Sequence, residues 1–227
     1  MKSNTRNKRN SGFTIIETMI SISIFLIIVS TGIVSLLNAG VVNQKSQDLR
    51  SEVDNLSFIL EDMSRNLRTG SNYRCILDPT DFTDSAKIVV PKSSPGGAVC
   101  RGIAFEYSDG DKSNSNDQWV YYIDNNGVIQ KSTQGPYTDP SFTPGNFVAL
   151  TSNEVNLSTI DPVYGKRISG FTIVGAETAA MPDPVQPWLF NQQQPFVIIR
   201  VAGTITSKNV ITPFSLQTSV SQRLVDI

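Results

Sequence analysis

The stretch SGFTIIETMI, residues 11–20, decides how the rest of the chain can be arranged. Twelve residues, 1–12, precede the apolar segment; they contain no acidic side chain and four basic ones, Lys2, Arg6, Lys8 and Arg9. From residue 13 to residue 37 the one charged side chain is Glu17, and there is no proline. This length and composition are typical of a helix that crosses a bilayer. The basic flank predicts a cytoplasmic N-terminus, with the following chain on the other side of the membrane.

The order of small and apolar residues differs from that of an ordinary secretory signal, which places its small-residue cleavage site after the apolar core. Here Gly12 lies before the core, so cleavage after it would leave the apolar segment as the N-terminus of the mature chain. Because a charge within a membrane span is costly, Glu17 is a functional candidate whose partner has to be identified. The alternative is that Glu17 lies near the membrane surface, at a helix start where the dipole favours acidic residues.

Gly12 followed by Phe-Thr-Ile-Ile-Glu resembles the prepilin peptidase site of the type IV pilin and pseudopilin superfamily. The resemblance implies that a prepilin peptidase removes the leader, residues 1–12, by cutting between Gly12 and Phe13. It also implies methylation of the new amino group of Phe13. Glu17 then corresponds to the family's fifth-residue glutamate, which pairs with that amino group within one chain or between neighbouring filament subunits and sets their register.

The apolar segment continues into an amphipathic one, which predicts a single long helix with two different surroundings. Residues 13–35 form the transmembrane or filament-core part, in which serines and threonines let helices approach closely and bond to one another. Residues 36–69 carry a stripe at alternating three- and four-residue spacing: Val42, Ser46, Leu49, Val53, Leu56, Leu60, Met63 and Leu67. A stripe of about four heptads favours packing on a β domain over a two-stranded coiled coil.

Residues 70–227 predict an extracytoplasmic, β-rich domain. Short β-type runs alternate with turn residues, and Asn126-Gly127 marks a hairpin. A loop with four prolines covers residues 179–195. Together with the helix these runs predict an α+β fold with an antiparallel sheet. The strand candidates are residues 86–90, 101–107, 119–123, 128–132, 147–150, 155–157, 168–174, 195–205 and 214–220.

Charge and composition exclude several function classes. The formal net charge is −1, and without the leader 15 basic residues face 20 acidic ones, which argues against a protein that coats nucleic acid. The chain has no histidine, so Ser-His-Asp and Cys-His arrangements are absent, and no phosphate-binding loop is present. We therefore expect neither catalytic residues nor a cofactor.

Cys75 and Cys100 are the two cysteines, and both lie in the predicted extracytoplasmic part. An oxidising compartment favours a disulfide between them, although two free buried thiols are the alternative. No metal site is expected from two cysteines without histidine. Residues 109–117 carry oxygen ligands at alternate positions, but Asn114 and Val120 stand where an EF-hand has its glycine and bidentate glutamate. A polar turn explains the same residues. The aromatic residues Trp119, Tyr121, Tyr122, Trp188 and Phe190 are read as core, with a binding face as the alternative.

The C-terminal part resembles the larger minor pseudopilins of the J class and related minor pilins. The residues that carry this resemblance are the Asn-Gly hairpin, residues 149–155 and the tail 214–223. It implies a minor structural subunit of a type IV pilus, type II secretion or competence system, acting in filament initiation or at the tip. Its partners would be the prepilin peptidase, sister subunits, the inner-membrane assembly platform and the bacterial membrane. An adhesive or DNA-binding tip subunit and a membrane-anchored periplasmic hydrolase are the alternatives.

Overall fold

The computed structural model describes residues 12–140, 145–177, 194–207 and 210–223. By its internal contacts the chain divides into two compact units, Met1–Gln47 and Asp48–Ile227. The helix α1 (Ile15–Thr69) begins in the first unit and ends in the second. Antiparallel strands follow it in the second unit, so the predicted α+β class is confirmed. The predicted segment boundaries at residues 35 and 69 remain predictions.

The C-terminal part of α1 buries one face in the second unit. Leu56, Ile59, Leu60, Met63 and Leu67 are buried, at the spacing of one helical stripe. After Thr69 the chain turns into the sheet, and the hydroxyl of Tyr73 donates to the main-chain oxygens of Leu67 and Gly70. The last turn of the helix is therefore capped by a side chain of the first strand.

Two antiparallel sheets form the β part of the second unit. The first has the order β1 (Ser71–Ile76), β2 (Gly102–Glu106), β3 (Trp119–Ile123), β4 (Ile129–Ser132) and β5 (Val148–Ala149). In the second, β6 (Val155–Leu157) and β7 (Gly170–Val174) pair with β8 (Phe196–Ser207), which also pairs with β9 (Val210–Ser221). Two short helices, α2 (Thr80–Thr83) and α3 (Ser85–Ile88), lie between β1 and β2.

The hydrophobic core has two layers. In the first, the helical stripe packs with side chains of both sheets, including Phe105, Tyr121 and Ile199. In the second layer, Phe82 and Ile88 of the short helices pack with side chains of the first sheet and with Phe147. β2 is consequently buried along its whole length, which a strand between two apolar layers requires.

The structure differs from the sequence-based expectations in three respects, of which the first is a correction. Residues 86–90 were expected as a strand, but α3 occupies this segment because Asp84 caps it by accepting from the N–H of Ala86 at 3.0 Å. The strand β1 was not predicted, since polar residues interrupt it and Asn72 has a positive φ of 59°. Two sheets replace the single expected sheet. Most of the predicted proline loop, 179–195, lies outside the described residues.

Cys75 and Cys100 form a disulfide at the junction of the two sheets, with their Cα atoms 5.6 Å apart. Cys75 belongs to β1, whereas Cys100 exchanges two main-chain hydrogen bonds with Phe171 of β7, at 2.6 and 2.9 Å. A Cβ added at Gly170 would lie 2.1 Å from the main-chain oxygen of Cys100, so glycine is needed for this close approach. The disulfide therefore connects the first sheet to a segment held by the second.

Replacing both cysteines by alanine should destabilise the second unit by about 3 kcal/mol, because the 25-residue separation closes a chain loop that restricts the unfolded state. Urea unfolding of the detergent-solubilised protein, followed by tryptophan fluorescence, measures this change. A reducing agent should lower the midpoint of the unmodified protein and leave that of the variant unchanged. Equal midpoints for the two proteins under oxidising conditions would contradict the prediction.

Candidate functional site

Gly12 and Phe13 precede the first helical turn and are exposed to solvent. A Cβ added at Gly12 would meet no atom within 4 Å. Nothing in the described fold therefore requires glycine at this position, and a requirement for it would come from a molecule that acts on the chain. The side chain of Phe13 is 81% exposed, so the two residues that form this peptide bond are both accessible.

Thr14 caps the start of α1. Its Oγ1 accepts from the main-chain N–H of Glu17 at 3.4 Å, and its main-chain oxygen accepts from Glu17 and Thr18 at 3.1 and 3.2 Å. The spacing of Thr14 and Glu17 is that of a capping box. The cap explains an acidic residue in the first turn, but the exposed carboxylate of Glu17 makes no ion pair with any described side chain.

The apolar part of α1 is exposed on every side within its own unit. A window of this helix has a mean hydropathy of 2.5, and none of it is buried inside the structure. The helix is thus long and apolar enough to cross a membrane, near the N-terminus of the chain. A solvated monomer rarely exposes so large a continuous apolar surface, which indicates that lipid or other helices surround it.

Four hydroxyl groups of this segment are satisfied within the helix. Thr18 donates to the main-chain oxygen of Ile15 at 2.7 Å, and Ser21 and Ser23 donate to oxygens one turn back at 2.8 Å. Thr31 donates to the oxygens of both Ile27 and Ile28. These bonds remove the cost of placing hydroxyls in an apolar surrounding. These four small residues consequently provide space for neighbouring helices rather than free hydrogen-bond donors.

The loop between β2 and β3 forms a set of polar turns. Asp111 Oδ1 accepts from the N–H of Ser113 at 3.0 Å, Asn114 does the same for Asn116, and Asp117 Oδ2 accepts from the N–H of Asp111. Among residues with described positions, no group of three Asp, Glu, His or Cys side chains is arranged to hold a metal ion. The loop is thus built as a turn, which was the favoured interpretation of its sequence.

Glu106 lies at the end of β2 and is almost fully buried. Its Oε2 accepts from the side-chain amide of Gln118, while its Oε1 has no hydrogen-bond partner among the residues whose positions are described. Burial, reinforced by the nearby carboxylates of Asp117 and Asp111, raises the pKa of the Glu106 carboxyl above its usual value. Ionisation of Glu106 therefore opposes folding of this region.

The aromatic residues of β3 belong largely to the core. Tyr121 and Tyr122 are fully buried, and Trp119 is half-buried, stacked on Tyr107 at 4.3 Å. The Lys131 ammonium lies 4.5 Å from the Trp119 ring centroid. Trp188 and Phe190 lie outside the described residues. The core interpretation of the β3 aromatics is confirmed.

A polar cluster that the sequence did not reveal connects α1 to the first sheet. The Lys131 ammonium and the Tyr121 hydroxyl both lie 3.3 Å from Asp62 Oδ2, and Asn66 donates to the same hydroxyl at 2.8 Å. Burial would raise the pKa of Asp62, but the charge of Lys131 and the surrounding hydrogen bonds lower it overall. In the sequence, this cluster is indicated by Asp62 and Asn66, which lie one helical turn apart beside the apolar stripe.

Comparison with known families identifies the N-terminal segment. Residues 7–33 match the model of the prokaryotic N-terminal methylation motif. No curated protein and no solved structure matches the chain. The match supports the type IV pilin and pseudopilin superfamily, and the helix with its antiparallel β domain is consistent with the pilin layout. The match covers residues 7–33 and does not confirm the J-class resemblance of the C-terminal part. Motif and fold together point to a structural subunit.

Replacing Glu106 by glutamine should remove a pH-dependent loss of stability. Because the folded-state pKa of Glu106 is raised, the unmodified protein loses stability as pH rises from about 4.3, the usual pKa of a glutamate, through that raised value. The stability of E106Q relative to the unmodified protein should therefore increase between pH 4 and pH 7, as measured by urea midpoints. Asp109→Asn on the adjacent exposed turn serves as the control. An unchanged difference across this range would refute the assignment.

Proposed function

We propose that the chain is the precursor of a minor subunit of a type IV pilus-like or pseudopilus filament. The observation that carries the proposal is the methylation motif at residues 7–33, joined to an apolar helix whose side chains are exposed all round. Such a helix can reside in the membrane before assembly and in a bundle of identical or related helices afterwards. The minor role rests on the J-class resemblance of the hairpin and the C-terminal tail.

Processing on the cytoplasmic side is the first step of this proposal. A prepilin peptidase cuts between Gly12 and Phe13, and the new α-amino group is methylated. The exposed position of both residues, with open space around Gly12, supports access by the peptidase. The basic leader supports an orientation with the N-terminus in the cytoplasm and the β domain outside.

Glu17 acts after processing, as the partner of the freed amino group. Before cleavage the nitrogen of Phe13 is part of a peptide bond and carries no charge, so this pair can form only in the mature subunit. A carboxylate within an apolar span is costly without a partner, and a pair with an ammonium removes most of that cost. Pairing with the Phe13 amine of a neighbouring subunit would fix the register of assembly at the inner-membrane platform.

Intact-mass analysis, with and without co-expressed prepilin peptidase, tests the processing step. The expected product begins at Phe13 and carries one added methyl group. Gly12→Val should retain the leader, whereas Gly40→Val, which also lies in open space, should be cleaved normally. A product that keeps residues 1–12, or that is cut after the apolar run, would overturn the proposed function.

Replacing Glu17 by glutamine should leave folding and processing unchanged and strongly reduce incorporation into filaments. The side chain makes no ion pair with a described side chain of the monomer, so the proposed effect of its loss is on contacts formed with the mature N-terminus. The measurement is the fraction of subunit in filaments sheared from the native bacterium, with Ser21→Ala as a control on the same helix. Normal incorporation of E17Q would exclude the proposed pairing.

A further inference from the structure

The strand β9 lies at an edge of the second sheet. It pairs with β8 along its full length, from Phe196↔Ser221 to Ser207↔Val210. β6 and β7 pair with β8 over the same residues, so they occupy its opposite side. In the described part of the chain no strand pairs with the outer side of β9. Twelve residues of edge are therefore open.

The hydrogen bonds of β8 show which main-chain groups of β9 point outward. Ala202 accepts from Ser158 and Thr206 donates to Glu154, so the even-numbered residues of β8 bond towards β6 and β7. The odd-numbered residues of β8 then bond to the even-numbered residues of β9, with which they are in register. The odd-numbered residues of β9 consequently direct their main-chain groups away from the sheet: 211, 213, 215, 217, 219 and 221.

Pro213 agrees with this assignment, because an outward-facing proline removes no bond from the ladder. Beyond Pro213, the residues Ser215, Gln217 and Ser219 present consecutive outward N–H and C=O groups that no described strand pairs with. No charged residue occurs from Val210 to Ser221. Long edge strands without charges are templates for pairing with another chain, and proteins usually protect them. Pro213 protects one end of this edge, and just beyond the other end the N–H of Arg223 donates to the main-chain oxygen of Arg68 at 2.8 Å, so the unprotected part is the middle of the strand.

A groove lies between this edge and α1. Ser57, Leu60, Glu61 and Ser64 of the helix and Leu216 and Thr218 of β9 line a cavity of about 340 Å³. The side chains of Leu216 and Thr218 are half-buried, so the groove is open beside the strand. A strand added to β9 would direct every second side chain into this groove.

The groove also indicates the chemistry of its occupant. Leu60 and Leu216 provide an apolar floor, while the exposed carboxylate of Glu61 forms no ion pair with a described side chain. An occupant with small apolar residues facing inward and a lysine or arginine opposite Glu61 is complementary to both. A second copy of β9 does not meet this requirement, since it has no basic residue between Val210 and Ser221.

We propose that the outer edge of β9 binds an extended, basic-apolar segment of a different subunit of the same filament as an added β-strand. Main-chain bonds to residues 215–219 provide affinity, and Glu61 with the apolar floor selects the segment. That the segment comes from another filament subunit rests on the proposed function.

Photo-cross-linking in the native bacterium tests the proposal on the full-length chain. A photoreactive phenylalanine at Ser215 should cross-link to an extended segment of another subunit that carries the same methylation motif, as identified by mass spectrometry. A cross-link confined to the same chain, one to a second copy, or none would overturn the proposal. The same label at Met19 reports packing of the apolar helices. Cross-linking at Met19 but not at Ser215 defeats the edge proposal alone, whereas its absence at both positions also defeats the proposed function.

Two matched pairs of variants test the contacts. Ser219→Pro removes an outward N–H and should reduce the Ser215 cross-link about tenfold, the loss of one or two hydrogen bonds; Ser219→Ala should retain it. Glu61→Lys should also reduce the yield of the Ser215 cross-link about tenfold, and Glu61→Gln should reduce it by a smaller factor. Glu61 is exposed, so its variants fold even if Ser219→Pro does not. Unchanged cross-linking in Glu61→Lys would overturn the role of the groove.

Discussion

The second unit depends on the burial of one helical stripe against two sheets at once. Each fully buried large side chain of this stripe contributes roughly 1.5–3 kcal/mol. Leu56, Met63 and Leu67 are almost completely removed from solvent, although each sheet alone could cover only part of the helix. Because the stripe contacts side chains of both sheets, it fixes their mutual packing, and the disulfide and the Cys100–Phe171 hydrogen bonds tie the same junction. Loss of the stripe would leave two sheets with no common core.

The exposure of the side chains of this helix changes along its length. Between residues 15 and 37 its apolar side chains face outward in every direction, whereas from Leu56 onward one face is buried and the other carries charges. No break in the helix marks this change, so it is made by side chains alone. In the apolar part the main chain and several hydroxyls, among them those of Ser21 and Ser23, bond internally, which suits a surrounding without water. Glu17 is the exception, since its carboxylate forms no ion pair with a described side chain.

The parts of the fold predicted from sequence are those determined by local pattern. The helix has a clear periodicity, and the hairpin at Gly127 has the positive φ that Asn-Gly signals. The failures have tertiary causes. The β-branched run at Ile88 suggested a strand, yet a cap and a layer of aromatic side chains hold it in a helix. In β1, the charged residue Arg74 suggested an exposed loop. Its side chain is buried instead, and its guanidinium lies 3.0 Å from the carboxylate of Asp81.

For the candidate site, the sequence identified Gly12, Phe13 and Glu17 and, through the family resemblance, their proposed joint action. The structure of a single uncut chain does not contain the charged amino group on which that action depends. The open edge of β9 could not be predicted from the sequence, because it depends on the pairing of the whole sheet. Odd-numbered residues of β8 bond to β9 and even-numbered ones bond to β6 and β7. This division, which decides which groups of β9 face outward, is set only when all four strands are in place.

The hydroxyl bonds of the apolar helix have a mechanical consequence. This helix has no proline at which it could open locally, but the hydroxyl of Thr31 bonds to two successive main-chain oxygens beside Gly32. A hydroxyl in this position can retain a carbonyl when the main-chain bond to it lengthens, and the adjacent glycine adds no side chain that resists the change. Because back-bonding of this kind beside a glycine favours bending, residues 31–32 are the position at which we expect this helix to bend first. A filament made from such subunits could stretch there without exposing bare carbonyl groups to its apolar interior.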